Sequence, residues 1–474
     1  MNNYLKNISP DSLSGLIFAF EGISNCTVLL NGPTGCKYYH SSVSDNQIIR
    51  QTEFDPLKFP EKWYFGQPRV PCSYLDNYDY VFGSSDKLEE TLTYIRDNIK
   101  FDMICIVNSP GAALIGDDLE AIARRVITDK PVISPEIVPE ISPEISPEIA
   151  PVISIETPGF SEDVCKGYER GVLHLIDNLF PNRSNKSASP YYPSGDSQSP
   201  LECSFLRHNQ NLKSVNILGL SLYHRNCTGD IAELKRMMEL CGITVNCILC
   251  ADCDLQSIKK LPDASLNIVI HPEYALETAK YLHSLFGTDY YICNGPPIGF
   301  SATEALMREI CNRLDADISG FTEYCARARA RAYSFISRIN SLAGLPRGAT
   351  FAVEGTYSEL YAYTSFLVRY LGMIPICASV VNPGSNCFKG KLYDLYDEFC
   401  IGDILDRDII ETDGKLVFAN GNTIARLMMR KHSFMGIETA LPTLGYVDVI
   451  PKTHIGVHGA LTLVEQVLSG MMMH

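Results

Sequence analysis

The chain has 474 residues, a formal net charge of −15, 17 cysteines and a single tryptophan. With 46% apolar and 20% charged residues it can bury substantial cores, which excludes global disorder, and the length suits roughly three domains at ~150 residues each. The acidic balance argues against nucleic acid as a partner, because phosphate binding needs clustered Lys and Arg. No run approaches the ~18 apolar residues of a membrane span, and Met1 to Lys6 lack the basic and apolar regions of a signal peptide. A cytoplasmic protein is expected. An odd number of cysteines in such a chain predicts free thiols rather than a disulfide framework.

In chain order, Cys26–Leu30 and Phe101–Val107 read as buried strands, with helical periodicity from Asp86 to Ile99 between them. Tyr80–Phe82 reads as a further short strand. From Pro135 to Pro151 a Pro-Glu-Ile repeat of period four excludes helix and central strand and predicts an extended surface insertion. Polar residues from Pro181 to Asn211 suggest a linker, and the α/β pattern restarts at Val215–Leu220. Asp230–Met238 follows as a helix, Ile243–Cys247 and Leu266–Ile270 as strands, then a helix to Leu285. A third unit opens at Ala349–Val353, continues through a helix from Tyr357 to Leu371 and includes the strand Leu416–Ala419. The expectation is an α/β protein of three Rossmann-like doubly wound parallel-sheet domains: residues 1–185, carrying the repeat insertion near 135–151, a linker at 186–212, and domains at 213–340 and 341–474.

In such folds ligands sit beyond the carboxyl ends of the strands, so residues that follow strands are the candidates. No Gly-x-x-x-x-Gly-Lys-Ser/Thr or Gly-x-Gly-x-x-Gly is present, so binding of ATP or a dinucleotide by the usual loops is not expected. Gly32-Pro33-Thr34-Gly35-Cys36 holds a thiol in a tight turn after the first strand, where a soft thiolate ligand would sit. Cys72 lies in Val70-Pro71-Cys72-Ser73. Cys247, Cys250 and Cys253 have the spacing that wraps a cubane cluster in ferredoxins, without its fourth cysteine and following proline. His271 directly follows a buried strand, and His454 and His458 flank Ile455-Gly456-Val457 near the C-terminus. Each is suited to proton transfer or metal ligation.

In this order these residues resemble the nitrogenase component 1 family. Its members include the molybdenum-iron protein subunits, the cofactor-assembly scaffold, dark-operative protochlorophyllide reductase and the reductive cyclase of the methanogenic nickel tetrapyrrole. The matching pieces are Gly32–Cys36, Tyr80–Gly83, Leu114–Leu119, Thr157–Phe160 with Gly167-Tyr168, Gly229–Arg236, Asn294–Gly299 and Gly456–Ala460. The resemblance implies three Rossmann-like domains and pairing as a homodimer, or as a heterodimer with a related subunit. It also implies an iron–sulfur cluster at the pair's interface, electrons from an ATP-hydrolysing iron protein, and a substrate or metallocofactor in an interdomain cavity.

Of the family's three cluster cysteines, Cys36 matches the second. No cysteine stands near Asp11–Leu13, and Ser109-Pro110-Gly111 stands where the third belongs. Two thiolates per chain, Cys36 and Cys72, doubled by a two-fold axis, would supply one [4Fe-4S] cluster. His271 takes the place of the cofactor-binding cysteine of the catalytic nitrogenase subunit. Ile455 takes the place of its cofactor histidine, with His454 one residue earlier. Dinitrogen reduction is therefore not expected. His271, His454 and His458 would serve instead as proton donors, or as ligands if the cavity holds a second metal centre or a tetrapyrrole. The functional expectation is a nitrogenase-like iron–sulfur oxidoreductase. The alternatives are a non-catalytic scaffold for assembling a metal–sulfur cofactor, with Cys250, Cys253 and His271 as transient ligands, or an electron-transfer subunit of a larger complex.

Overall fold

A computed structural model describes residues 10–37, 40, 43, 69–128, 150–156, 162–181, 213–384, 386–405, 407–430, 433–445 and 449–472. The linker at 186–212 lies outside the described residues. So does the Pro-Glu-Ile repeat, except for Ala150 and Pro151.

Strands with unbroken apolar sequences become the interior rungs of parallel sheets, where both faces are covered. In the first domain β1 (Cys26–Asn31), β2 (Met103–Asn108) and β3 (Val152–Glu156) pair in the order β1-β2-β3, with Cys26 opposite Met103 and Asn31 opposite Asn108. In the second, β4 (Ser214–Leu218), β5 (Thr244–Ile248), β6 (Leu266–Val269) and β7 (Asp289–Ile292) form the sheet β5-β4-β6-β7. In the third, β8 (Thr350–Gly355), β9 (Ile374–Val380), β10 (Leu416–Asn420) and β11 (Met435–Ala440) are ordered β11-β10-β8-β9. Every strand pair is parallel. The expected class, three parallel-sheet α/β domains, is what the chain adopts.

Among the helices, α1 (Ser12–Glu21) opens the chain, and α2 (Asn77–Phe82) and α3 (Ser85–Asn98) lie between β1 and β2. Leu88, Leu92 and Ile95 of α3 share one face and are buried. The Tyr80–Phe82 segment is thus helical rather than extended. Asp76 accepts from the amides of Tyr78 and Asp79 while Asp79 accepts from the Asp76 amide, a reciprocal cap that fixes the first turn of α2. Helices α4 (Leu119–Thr128) and α5 (Val164–Leu179) complete the first domain. Next come α6 (Cys227–Glu239), α7 (Leu255–Lys259), α8 (Pro272–Phe286), α9 (Phe300–Leu314) and the long α10 (Ser319–Ala343). The third sheet carries α11 (Tyr357–Arg369), α12 (Lys389–Glu398) and α13 (Gly421–Met429). The last helix, α14 (Gly456–Met472), returns to pack on α10 and α6. Among the described residues no helix is long and apolar enough to cross a membrane.

Helices α1 and α5 cross at two glycines. A Cβ on Gly15 would stand 2.0 Å from the Val164 carbonyl oxygen, and one on Gly167 would stand 2.0 Å from that of Ser12. This approach packs the start of α1 against the start of α5, with the Ser12 amide donating to Glu162 O and the Lys166 amide to Asp163 Oδ1. Gly167→Ala should therefore lower the stability by about 1–3 kcal/mol through forced separation of the helices. The check is a fall in the denaturant midpoint with an unchanged m-value; an unaltered midpoint would mean that the crossing yields freely.

Candidate functional site

Two places converge at the carboxyl ends of strands. The first lies at the end of β1. The segment Val70–Leu75 runs alongside it, with the Leu30 amide donating to Pro71 O, Ser73 to Leu30 O and Leu75 to Gly32 O. Cys72 is thereby bridged to Leu30, and its thiol donates to Gly32 O at 3.2 Å. Cys36 lies in a helical segment (34–37) after the same strand, and a Cβ on Gly32, whose carbonyl accepts from Cys72, would stand 3.9 Å from Cys36 Cβ. Burial raises both thiols above their ordinary range. The Ser109 hydroxyl, beyond β2, opposes this at Cys36, while the Tyr74 amide and the Lys37 ammonium oppose it at Cys72. Ser109 thus occupies the corner where the family pattern has its third thiol. Next to this pair α2 exposes Val81 (72%) and Phe82 (70%), the latter ring 4.5 Å from that of Tyr78, and Leu114 is 88% exposed. Tyr78, Val81 and Phe82 share the short helix α2, so three exposed apolar side chains stand on one element.

The second place is a cavity where the second and third sheets direct their carboxyl ends at one another. Its wall combines His224 from the loop after β4, Glu359 from the first turn of α11 beyond β8, Asn382 after β9, and Ala440 with Leu441 at the end of β11. An adjoining hollow is lined by His224, Asp230, His271, Glu359, Tyr363 and His454, among others. The first has an empty volume of about 560 Å³ including its open mouth. His271, the N-cap of α8 two residues beyond β6, stacks on His224, their ring centroids 4.1 Å apart and their planes 24° apart.

Hydrogen bonds fix the state of the His224 and His454 rings. The Ser221 amide donates to His224 Nδ1 at 3.1 Å, so the proton of the neutral ring lies on Nε2, a buried atom with no protein partner. His271 Nδ1 is likewise buried and unpartnered, 3.9 Å from Glu359 Oε1. Burial lowers the basicity of His224 to a pKa of about 3. It holds His271 well below its ordinary value, with the neighbouring imidazole adding to the effect. The carboxyls move the other way: burial raises Glu359 and takes Asp230 to about 7. Both nitrogens of His454 are engaged, Nδ1 with the Tyr363 hydroxyl at 2.8 Å and Nε2 with Gln466 Oε1 at 2.9 Å.

Of the residues singled out in the sequence, Cys36 and Cys72 come together, and His271 and His454 line the interdomain hollow. His458 is exposed on the first turn of α14, its amide bonded to Glu233, and is absent from the cavity wall. Sequence reasoning passed over His224 and Glu359, although one lies in the loop after β4 and the other in the first turn of the helix after β8, where the strand-end rule reaches them. The atoms of His224, His271 and Glu359 lie within 4.8 Å of one another, close enough for a divalent metal. The His224 tautomer favours another use, since Nε2 carries the proton that a metal would have to displace. As it stands the trio offers a hydrogen-bond donor and a protonatable carboxyl to a bound molecule.

Residues 12–472 match the family model described as nitrogenase component 1 type oxidoreductase. One of the subunits of light-independent protochlorophyllide reductase is a recurrent relative. The Trichormus variabilis protein is 24% identical over 82% of this chain and 67% of its own length, and the Picosynechococcus protein is 29% identical over the same shares. With the Synechococcus sp. CC9605 protein the match is 27% identical and spans 39% of this chain and only 32% of that one. The solved structure of nitrogenase Cp1 at pH 6.5 superposes with a TM-score of 0.69 at 16% identity, over 98% of this chain and 92% of that one, a likeness of fold.

A histidine held neutral by burial makes folding depend on acidity. The unfolded ring, titrating near 6.5, binds a proton that the folded ring refuses down to about pH 3. Its share of the stability is therefore complete above pH 6.5 and is lost as the pH falls from there toward 3. Relative to His224→Gln, the native chain should gain stability with a slope approaching about 1.4 kcal/mol per pH unit between pH 4 and 6. Parallel urea titrations at several pH values measure this difference, and curves that run parallel would refute the neutral, buried state.

Proposed function

The chain belongs to the nitrogenase component 1 type oxidoreductases, and on that premise we propose that it is a reductase. It would receive single electrons from an ATP-hydrolysing iron protein and pass them to a substrate in the cavity between the second and third domains. Absence of a phosphate loop in this sequence is in keeping with ATP being handled by the partner. The observation that carries the proposal is the placement of Cys36 and Cys72 against the same residue, Gly32, at the carboxyl end of β1: the Cys72 thiol donates to Gly32 O at 3.2 Å, and a Cβ on Gly32 would stand 3.9 Å from Cys36 Cβ.

These residues fit half of a [4Fe-4S] site. Two thiols from one chain leave two coordination positions for a second chain, and the exposed Tyr78, Val81, Phe82 and Leu114 are apolar side chains that such a pairing could bury. A cluster so held would supply low-potential one-electron transfer. The protein's own part is to seat the substrate, exclude water and supply protons. Glu359 is the proton donor of this scheme, because burial raises its carboxyl toward neutrality while both imidazoles stay uncharged. His224, with its proton on Nε2, donates a hydrogen bond to an acceptor atom of the substrate. His454 orients the Tyr363 hydroxyl that it accepts from. The similarity to light-independent protochlorophyllide reductase makes a conjugated tetrapyrrole the first substrate class to screen.

Anaerobically prepared protein should hold about two irons per chain, four per pair, and show a paramagnetic signal on one-electron reduction. Cys36→Ala and Cys72→Ala should each abolish both iron and signal, and size measurement should find a dimer in the native case. Iron content undiminished by either substitution would end the proposal.

A further inference from the structure

The hollow between the second and third domains is braced from behind by α14. His454 lies two residues before that helix and is buried. A Cβ on Gly459 would stand 2.3 Å from the His454 carbonyl carbon, so the first turn of α14 holds the backbone that carries the ring. Two side chains then take its nitrogens. Tyr363, a wall residue from α11, meets Nδ1 at 2.8 Å, with the two ring planes 87° apart. Gln466, half-buried ten residues into α14, meets Nε2 through its Oε1 at 2.9 Å. An amide oxygen carries no hydrogen, so the proton of the neutral ring lies on Nε2 and Nδ1 is a bare acceptor. The hydrogen that fills the Nδ1 bond is therefore the phenol's own, and burial raises that phenol well above its ordinary range. Toward the hollow, Tyr363 Oη is left with lone pairs and no hydrogen.

We propose that Gln466 is a positioning residue: by fixing the His454 tautomer it makes Tyr363 a hydrogen-bond acceptor toward the molecule that binds between the second and third domains. The role rests on the proposed use of this hollow as the substrate site. Two neutral groups of the wall then have opposite polarity. His224 offers Nε2–H from the loop after β4, and Tyr363 offers lone pairs from α11. A substrate matched to both presents an acceptor atom to His224 and an N–H or O–H to Tyr363. Glu359 and Tyr363 stand four residues apart on α11, so they share one face of the helix. With the phenolic proton turned away to His454, Glu359 is the proton source on that face. Were the Gln466 amide reversed, its NH₂ would donate to Nε2, Nδ1 would carry the proton, and the phenolic hydrogen would point into the hollow. The two arrangements thus differ at an observable nitrogen.

The test is magic-angle-spinning NMR of the sedimented full chain, labelled with ¹⁵N-histidine, at about pH 8, where free imidazole is neutral. Resonances that vanish in His454→Asn identify the ring. They should be a pyridine-type Nδ1 and a pyrrole-type Nε2. Gln466→Glu keeps an oxygen acceptor and should preserve this pattern. Gln466→Lys places an ammonium donor against Nε2 and should reverse it, giving a pyrrole-type Nδ1. Tyr363→Phe should shift the Nδ1 resonance, because the bare nitrogen loses its donor. A native ring with its proton on Nδ1 would overturn the proposal. So would one tautomer common to the folded Lys and Glu variants, or an Nδ1 resonance that Tyr363→Phe leaves in place. If Gln466→Lys fails to fold, the native spectrum still decides. No iron, substrate or turnover enters the measurement, so its outcome is separate from that of the reductase proposal.

Discussion

The buried carboxylate of Glu273 is the hinge on which the cavity depends. It stands in the first turn of α8, and its two oxygens accept from the Ser358 amide at 2.8 Å and the Ser358 hydroxyl at 2.6 Å in the first turn of α11. One side chain thus joins the helix after β6 to the helix after β8, so the carboxyl ends of two sheets are held face to face. The charged form would be stabilised by these donors and by the partial positive charge of the α11 N-terminus. Burial outweighs both and raises the group to about 7. The second and third domains are therefore joined by a bond whose loss would leave a buried polar group without a partner. Two further ties close the ring of domains: Tyr168 of α5 donates to Leu220 O at 2.6 Å, and the Gly384 amide donates to Asp163 Oδ2 at 2.7 Å.

The same low-polarity setting explains the charge states within the cavity. The one guanidinium of its inner wall, Arg225, donates to Glu438 O at 2.8 Å. Water is largely excluded from the ring nitrogens and carboxyl oxygens, so each titratable group drifts toward its neutral form. Imidazoles become weaker bases and carboxyls weaker acids. Two histidines stacked at 4.1 Å can coexist only because neither is charged. The wall therefore combines uncharged imidazoles with carboxyls that burial makes weaker acids.

Much of this architecture was legible in the sequence, and the parts that were not have physical reasons. Cys26–Leu30 and Leu266–Ile270 announce themselves because strands buried on both faces are mostly apolar runs, here broken only by Thr27 and Asn267. By contrast β7, with its sequence Asp-Tyr-Tyr-Ile, is an edge strand, and half-exposure leaves it no apolar signature. Tyr80–Phe82 has strand-like composition but is helical, because the reciprocal cap between Asp76 and Asp79 outweighs the β preference of three residues. His271 was found because it directly follows a buried strand. His224 lies six residues beyond the end of β4, after Gly219 at φ +84° and Ser221, so its return to stack on His271 is set by loop geometry that no periodicity encodes. His458 shares a short motif with His454, yet the helix begins at Gly456 and carries it to the outer face.

The placement of the two functional places relative to each other follows from the α1–α5 crossing. Asp11, the N-cap of α1, is close enough to Cys36 to raise its thiol, and the preceding Pro10 lines the cavity. Across the crossing, Cys165 in the first turn of α5 donates to Asn382 O at 3.5 Å, and Asn382 is another residue of the cavity wall. The starts of both helices therefore occupy the space between the thiol pair and the cavity. Gly15 and Gly167 set that separation, because any side chain at either position would drive α1 away from α5 and carry Cys36 and the cavity wall apart.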